Sequence, residues 1–146
     1  MTPAPDAFRT HHAEIGGIRI AYVREGVGGY PLLLLHGYPE TKRIWWRNIG
    51  PLAAAGYEVI VPDLRGFGDS DLANDDRYDV AAHARDAYAL VHDVLGHAHC
   101  ATVSGDLGGV VAQDLGFRFP GFVEWQCLFN TVLPFIAKDY EAAGLP

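Results

Sequence analysis

The distribution of apolar residues along the chain predicts strands that alternate with helices. The continuous apolar run at 30–35 is typical of a strand buried on both faces. The predicted strands are 11–15, 18–24, 31–36, 57–62, 98–103 and 123–129, and the predicted helices are 43–55, 79–95 and 108–118. Such alternation favours an α/β fold with a mostly parallel sheet and helices on both faces.

The helix predicted at 79–95 is amphipathic, and its charged positions are typical of a solvated face. These positions are His83, Arg85, Asp86, His92 and Asp93. His97 and His99 follow that helix, where we expect surface or loop residues.

A strand, a tight turn of small residues and a helix follow one another around Asp106. This is the layout of a nucleophile elbow, with Ser104, Gly108 and Gly109 leaving room for the strand and the helix to approach. A carboxylate nucleophile attacks carbon and forms an ester with its substrate. An aspartate in this place is also a common helix N-cap, and the motif alone leaves both interpretations open.

A second motif, His36-Gly37-Tyr38-Pro39, directly follows the apolar run at 30–35. The N–H of Tyr38 and the N–H of Leu107 could together form a two-donor oxyanion hole. The Tyr38–Pro39 bond is a candidate cis peptide. We expect His36 to be a packed histidine that supports the loop, with Gly37 and Pro39 shaping it.

Three further residues are candidates for lining a pocket near Asp106. Trp45 and Trp46 begin the helix after the second motif, and Asn130 follows the strand 123–129. Core packing is the expected role for at least one of the two tryptophans.

A third motif is the Gly- and Asp-rich loop at 63–70, in which we expect Asp63 and Arg65 to make ordering ion pairs. The motifs at 36–41, 63–70 and 105–109, in this order and at these spacings, resemble the α/β-hydrolase fold, and the nearest branch is that of the epoxide hydrolases. The resemblance implies the strand order 1-2-4-3-5-6 with the first strands antiparallel. It also implies that residues 1–133 belong to the core domain and that 134–146 begin a helical cap.

The resemblance implies that Asp106 opens a small apolar epoxide and that the resulting ester is hydrolysed to a vicinal diol. A haloalkane or haloacid dehalogenase would use the same attack on a halogenated substrate. Haloalkane dehalogenases usually have a halide-binding Asn and a Trp where this chain has Tyr38 and Leu107. Fluoroacetate dehalogenases usually have Arg at the position of Leu107. A truncated binding or scaffold protein without catalysis is the alternative outside the enzymes.

All seven histidines of the chain precede Asp106. The resemblance places the catalytic histidine, the acid that orients it and the cap tyrosines later in the fold. We therefore expect the base to come from outside this chain, on a complementing chain or C-terminal half. The strand 123–129 would otherwise leave an exposed edge that is prone to association.

Composition limits the classes of binding partner and the cellular compartment that we expect for this protein. Eleven basic and 18 acidic side chains give a formal charge of −7, which makes nucleic acid an unfavourable partner. No apolar run reaches membrane-spanning length and the first residues lack a secretory pattern, so we expect a cytoplasmic protein. Cys100 and Cys127 fall in predicted strands, where buried free thiols are expected. No cofactor motif or metal-ligand spacing is recognised.

Overall fold

The computed structural model describes residue 4 and the ranges 7–132 and 141–142. The strands are β1 (Thr10–Ile15), β2 (Ile18–Glu25), β3 (Tyr30–Leu35), β4 (Tyr57–Pro62), β5 (Cys100–Gly105) and β6 (Val123–Phe129). The helices are α1 (Trp46–Ala54), α2 (Val80–Tyr88) and α3 (Asp106–Arg118). The predicted segment 134–146 lies outside the described residues apart from 141–142, so its assignment to a cap stays a prediction.

The described strands form one six-stranded sheet in the order β1-β2-β4-β3-β5-β6. Neighbouring strands are antiparallel from β1 to β4 and parallel from β4 through β3 and β5 to β6. The predicted α/β-hydrolase architecture and its strand order are therefore confirmed. Among helices of the described ranges, none is both long and apolar enough to cross a bilayer.

The central strand β3 supplies both hydrophobic cores because its side chains alternate between the two faces. Leu33 and Leu35 pack with residues of α2 and α3 on one face, whereas Leu32 and Leu34 pack with residues around α1 on the other. All four leucines are 1 % exposed or less. The continuous apolar run thus marks a strand covered on both sides, as its sequence predicts.

Two predicted helices are divided in the structure. The segment predicted as 43–55 begins with a 3-10 turn at Lys42–Trp45 before α1, and the segment predicted as 79–95 is α2 followed by a π-helical stretch at Ala89–Val94. Asp79 caps α2 by accepting a hydrogen bond from the N–H of Ala82 at 2.8 Å. The boundaries differ because local hydrogen bonding, rather than the apolar period, sets the helix type.

The loop after β4 is held by buried ion pairs. Lys42 Nζ lies 2.5 Å from Asp63 Oδ2 and 2.6 Å from Asp69 Oδ2. Arg65 makes two hydrogen bonds to Asp86, of 2.6 and 2.7 Å. The expected ion pairs of Asp63 and Arg65 are confirmed, each with a partner that the sequence did not indicate.

The solvated face predicted for α2 is wrong at two positions. His83 and Asp86 are only 1 % and 7 % exposed, whereas the imidazole of His92 is 43 % exposed. Asp86 is buried because Arg65, from a distant loop, neutralises it. Burial lowers the pKa of His83 below its usual 6.5.

The expectation for the cysteines is correct only for Cys100, which is buried, since Cys127 is exposed. Cys127 lies on β6, the outermost strand of the described sheet, where Trp125 and Phe129 are also 42 % and 49 % exposed. Burial raises the pKa of the Cys100 thiol to about 12, with a smaller contribution from the carboxylate of Glu124.

Candidate active site

Asp106 lies at the junction of β5 and α3, with no intervening loop. Strand β5 ends at Gly105 and α3 begins at Asp106 itself, whose φ is +50°. This left-handed conformation is unusual for a residue with a side chain and matches a nucleophile elbow. The N-cap of α3 is Gly105 and not Asp106, so the interpretation of Asp106 as an ordinary capping residue is wrong.

The Asp106 carboxylate is held through one of its two oxygens. Oδ1 accepts the N–H of Tyr38 at 2.8 Å and the N–H of Leu107 at 2.6 Å. Among the described residues, none donates a hydrogen bond to Oδ2. The hydrogen bond from Tyr38, followed by that from Leu107, lowers the pKa of Asp106 below its usual 3.8. Asp106 is therefore ionised at neutral pH, with one oxygen restrained and the other unengaged.

Glycines on both sides of Asp106 make this arrangement possible. A Cβ on Gly37 would lie 2.6 Å from Cβ and 2.8 Å from Oδ1 of Asp106. A Cβ on Gly108 would lie 2.6 Å from the carbonyl oxygens of Leu35 and His36. The loop after β3 and the start of α3 can approach each other only because both positions lack a side chain.

The loop 36–39 has the geometry that the second motif suggested. The Tyr38–Pro39 peptide is cis, and Gly37 N–H donates to Glu40 Oε2 at 2.9 Å. Glu40 was not indicated by the sequence analysis, although it directly follows the motif. The N–H of Glu40 also donates to Gly37 C=O at 3.1 Å. Glu40 therefore makes two hydrogen bonds to Gly37, which close the loop.

His36 is completely buried and uses both ring nitrogens within the protein. Nδ1 donates to Gly37 C=O at 2.9 Å, and Nε2 accepts the N–H of Leu64 at 3.0 Å. Burial lowers the pKa of His36 below 6.5, which favours the neutral ring that this pairing requires. Its ring therefore links the loop after β3 to the loop after β4.

A cavity of about 350 Å³ adjoins Asp106 and is lined also by Val110, Asn130, Thr131 and Val132. Asn130 thus lines a pocket beside Asp106, as the sequence analysis suggested. The two tryptophans are not among these lining residues, which corrects their expected location at this pocket. Trp45 ends the 3-10 turn and Trp46 begins α1.

Trp45 is buried and its ring meets that of Phe129 edge-on, at 6.0 Å between centroids. A Cβ on Gly105 would lie 2.5 Å from the Phe129 ring. Trp46 lines a separate cavity of about 270 Å³ with Lys42 and Arg43 and is not among the residues that line the cavity beside Asp106. The prediction that at least one tryptophan packs in the core agrees with Trp45.

Comparison with known proteins shows the family to which this chain belongs. Residues 30–123 match the model of the alpha/beta hydrolase fold, and this chain belongs to the α/β-hydrolase family. Over 140 residues the chain is 44 % identical to a soluble epoxide hydrolase of Corynebacterium sp. (strain C12), covering 94 % of this chain and 46 % of that protein.

A solved structure and a second relative are also similar to this chain. The chain is similar to the epoxide hydrolase CorEH solved without ligand, with a TM-score of 0.80, 36 % identity and coverage of 86 % of this chain and 43 % of that one. A haloalkane dehalogenase of Mycobacterium marinum is 41 % identical over 70 residues, which are 44 % of this chain and 24 % of that protein. The chain thus spans less than half the length of these relatives.

Proposed function

We propose that this chain carries the nucleophile and the oxyanion hole of an epoxide hydrolase that acts on small apolar epoxides. The observation that supports the proposal is that the two carboxylate oxygens of Asp106 have different hydrogen bonding. Because Tyr38 and Leu107 both donate to Oδ1, Oδ2 is the oxygen available for attack. The apolar side chains of Val110 and Val132 in the adjoining cavity suit an apolar substrate.

In the first step, Asp106 Oδ2 attacks a ring carbon of the epoxide. The ring C–O bond breaks, its oxygen takes a proton from solvent water or from an acid of the complementing chain or C-terminal half, and a hydroxyalkyl ester of Asp106 forms. In the second step, water attacks the carbonyl carbon of that ester. The N–H groups of Tyr38 and Leu107 then stabilise the tetrahedral oxyanion, whose collapse releases a vicinal diol and restores the carboxylate.

The water of the second step needs a general base, and the proposal assigns it to a histidine supplied from outside this chain. The chain has seven histidines, and among the described hydrogen bonds and ion pairs none joins a histidine to Asp106. His36 accepts a hydrogen bond from Leu64 N–H, and His97 Nε2 donates to Glu58 Oε1 at 2.8 Å. A complementing chain or a C-terminal half is therefore part of the proposed functional unit.

The test is the formation of a covalent adduct when the 146-residue chain is incubated with styrene oxide. Intact mass should rise by one epoxide, and peptide mapping should place the adduct on Asp106. Asp106→Asn should abolish the adduct, while Asp114→Asn, on the exposed side of the same helix, should retain it. With a complementing chain and heavy-oxygen water, one turnover should leave the label in the Asp106 carboxylate.

A second candidate is a dehalogenase that uses the same nucleophile, and the similarity to the Mycobacterium marinum haloalkane dehalogenase favours it. Halide release from haloalkanes and haloacids, without reaction with epoxides, would replace the first proposal by this one. The absence of any adduct from both substrate classes would leave a binding or scaffold role.

A further inference from the structure

The loop after β6 contacts the backbone of Asp106 from two sides. Asp106 N–H donates to Asn130 C=O at 3.0 Å, and the hydroxyl of Thr131 donates to Asp106 C=O at 2.8 Å. Asn130 itself has a φ of +47°, close to the +50° of Asp106. One hydrogen bond thus joins two residues with left-handed backbone, and the next residue along the chain, Thr131, makes the other.

The hydroxyl of Thr131 acts on the same peptide group that supplies an oxyanion donor. The C=O of Asp106 and the N–H of Leu107 belong to one planar peptide, in which they point in opposite directions. Fixing the C=O therefore fixes the direction of the N–H, which meets Asp106 Oδ1 at 2.6 Å. A hydrogen bond to the C=O also polarises the amide and strengthens its N–H as a donor.

On the side of α3, Thr131 packs tightly against the backbone of Gly109. A Cβ on Gly109 would lie 2.5 Å from Thr131 Oγ1, 2.6 Å from its Cβ and 2.7 Å from its Cγ2. The absence of a side chain at Gly109 is thus what lets Thr131 reach the first turn of α3. Elements β6 and α3 meet at this point through the threonine side chain.

We propose that Thr131 is a positioning residue that directs the N–H of Leu107 at the oxyanion formed on Asp106. This proposal rests on the proposed function for the oxyanion, but the hydrogen-bond geometry is independent of it. Thr131 acts through the peptide of Asp106 and Leu107 and does not itself contact the reacting atoms. Its contribution should therefore appear when the tetrahedral intermediate forms.

The experiment separates ester formation from ester cleavage. The full chain is first alkylated with styrene oxide and freed of excess reagent. Hydroxylamine, which needs no general base, then attacks the ester carbonyl through the same type of oxyanion; the ester C–O bond breaks, the diol leaves, and Asp106 becomes a hydroxamate. Intact mass follows the loss of the adduct with time.

Three variants make the measurement specific. Thr131→Val removes the hydroxyl at similar shape and should slow the cleavage about tenfold, less than the loss of a whole oxyanion donor. Thr131→Ser retains the hydroxyl and should keep the native rate within about twofold. Thr102→Val is the matched control, because Thr102 Oγ1 is buried without a hydrogen-bond partner among the described residues.

Nuclear magnetic resonance of the Leu107 amide is the second readout and requires no reaction. In Thr131→Val the Leu107 proton should move upfield while the Tyr38 proton stays in place; Thr131→Ser should restore the native shift. Equal cleavage rates in Thr131→Val and the native chain, or an unchanged Leu107 proton, overturn the proposal. If the native chain forms no adduct, the proposed function fails, and the Leu107 proton alone decides the role of Thr131.

Discussion

The N–H of Tyr38 donates to Oδ1 of Asp106 at 2.8 Å, although the two residues are 68 positions apart in the chain. The bond joins the loop after β3 to the start of α3. Strands β3 and β5 are parallel neighbours, so their carboxyl ends meet at one edge of the sheet and bring these two loops together. The site therefore exists only when the centre of the sheet is assembled.

We expect the Asp106 carboxyl to titrate below 3.8. Its pKa is lowered by the N–H of Tyr38 first and that of Leu107 second, and both hydrogen bonds favour the ionised form. Because the folded-state pKa is depressed, these bonds stabilise the fold above pH 3.8 and lose that effect as the pH falls through the folded-state value. Carbon-13 titration of labelled aspartate measures the midpoint, with Asp106→Asn identifying the signal. A midpoint of 3.8 or higher would contradict the assignment of these donors.

Gly109→Ala should destabilise the fold by about 1–3 kcal/mol, because the added methyl group would overlap the side chain of Thr131. Gly50→Ala is the matched control. Gly50 lies inside α1 and a Cβ there would meet nothing within 4 Å, so this change should stabilise the protein by about 0.5–1 kcal/mol. Urea unfolding of both variants gives the comparison, and similar effects of the two changes would refute it.

Lys42→Met should lower the free energy of unfolding by about 3–5 kcal/mol, because it leaves the fully buried carboxylate of Asp63 without its cation. Arg19→Met removes a comparable ion pair at the surface. Arg19 and Asp71 are 51 % and 44 % exposed, so that change should cost less than about 1 kcal/mol. Chemical denaturation measures the free energy of unfolding of both variants. Equal decreases would show that burial of the Lys42 ion pair does not increase its contribution to stability.

Glu58 should make stability fall in acid. Burial acts to raise the pKa of Glu58, but hydrogen bonds from Gly28 N–H, Arg24 and His97 outweigh it and hold the pKa below 4.5. The group therefore stabilises the fold above pH 4.5, and this contribution is lost as the pH falls through the folded-state pKa. The melting temperature of Glu58→Gln should depend less on pH between 6 and 3 than that of the native chain. Parallel profiles would exclude Glu58 as a source of acid sensitivity.

The sequence predicts the strands well because apolar runs report burial directly. Strand β4 has the predicted bounds 57–62, and β3 is displaced by one residue at each end. The strand predicted at 98–103 is observed at Cys100–Gly105, so it continues to the residue before Asp106. Strand order followed from the resemblance of three motifs rather than from the apolar pattern, since periodicity carries no information on which strands pair.

The errors arise where distant loops supply the partner of a polar residue. Asp86 looks solvated in the sequence because nothing in its own helix indicates that Arg65 will reach it. The sequence analysis assigned no role to Thr131, since its contact depends on how α3 meets the loop after β6. The expectation that Trp46 lines the pocket near Asp106 also depended on tertiary packing, because the helical period does not indicate which end of the sheet a side chain faces.

The left-handed backbone of Asp106 has a consequence for the choice of residue at the elbow. Aspartate and asparagine tolerate this conformation better than most residues because their short side chains can bond locally to the main chain. Asp106 does so through the N–H of the very next residue. The carboxylate that we propose as the nucleophile thus also lowers the cost of its own left-handed backbone conformation, so both properties depend on one side chain.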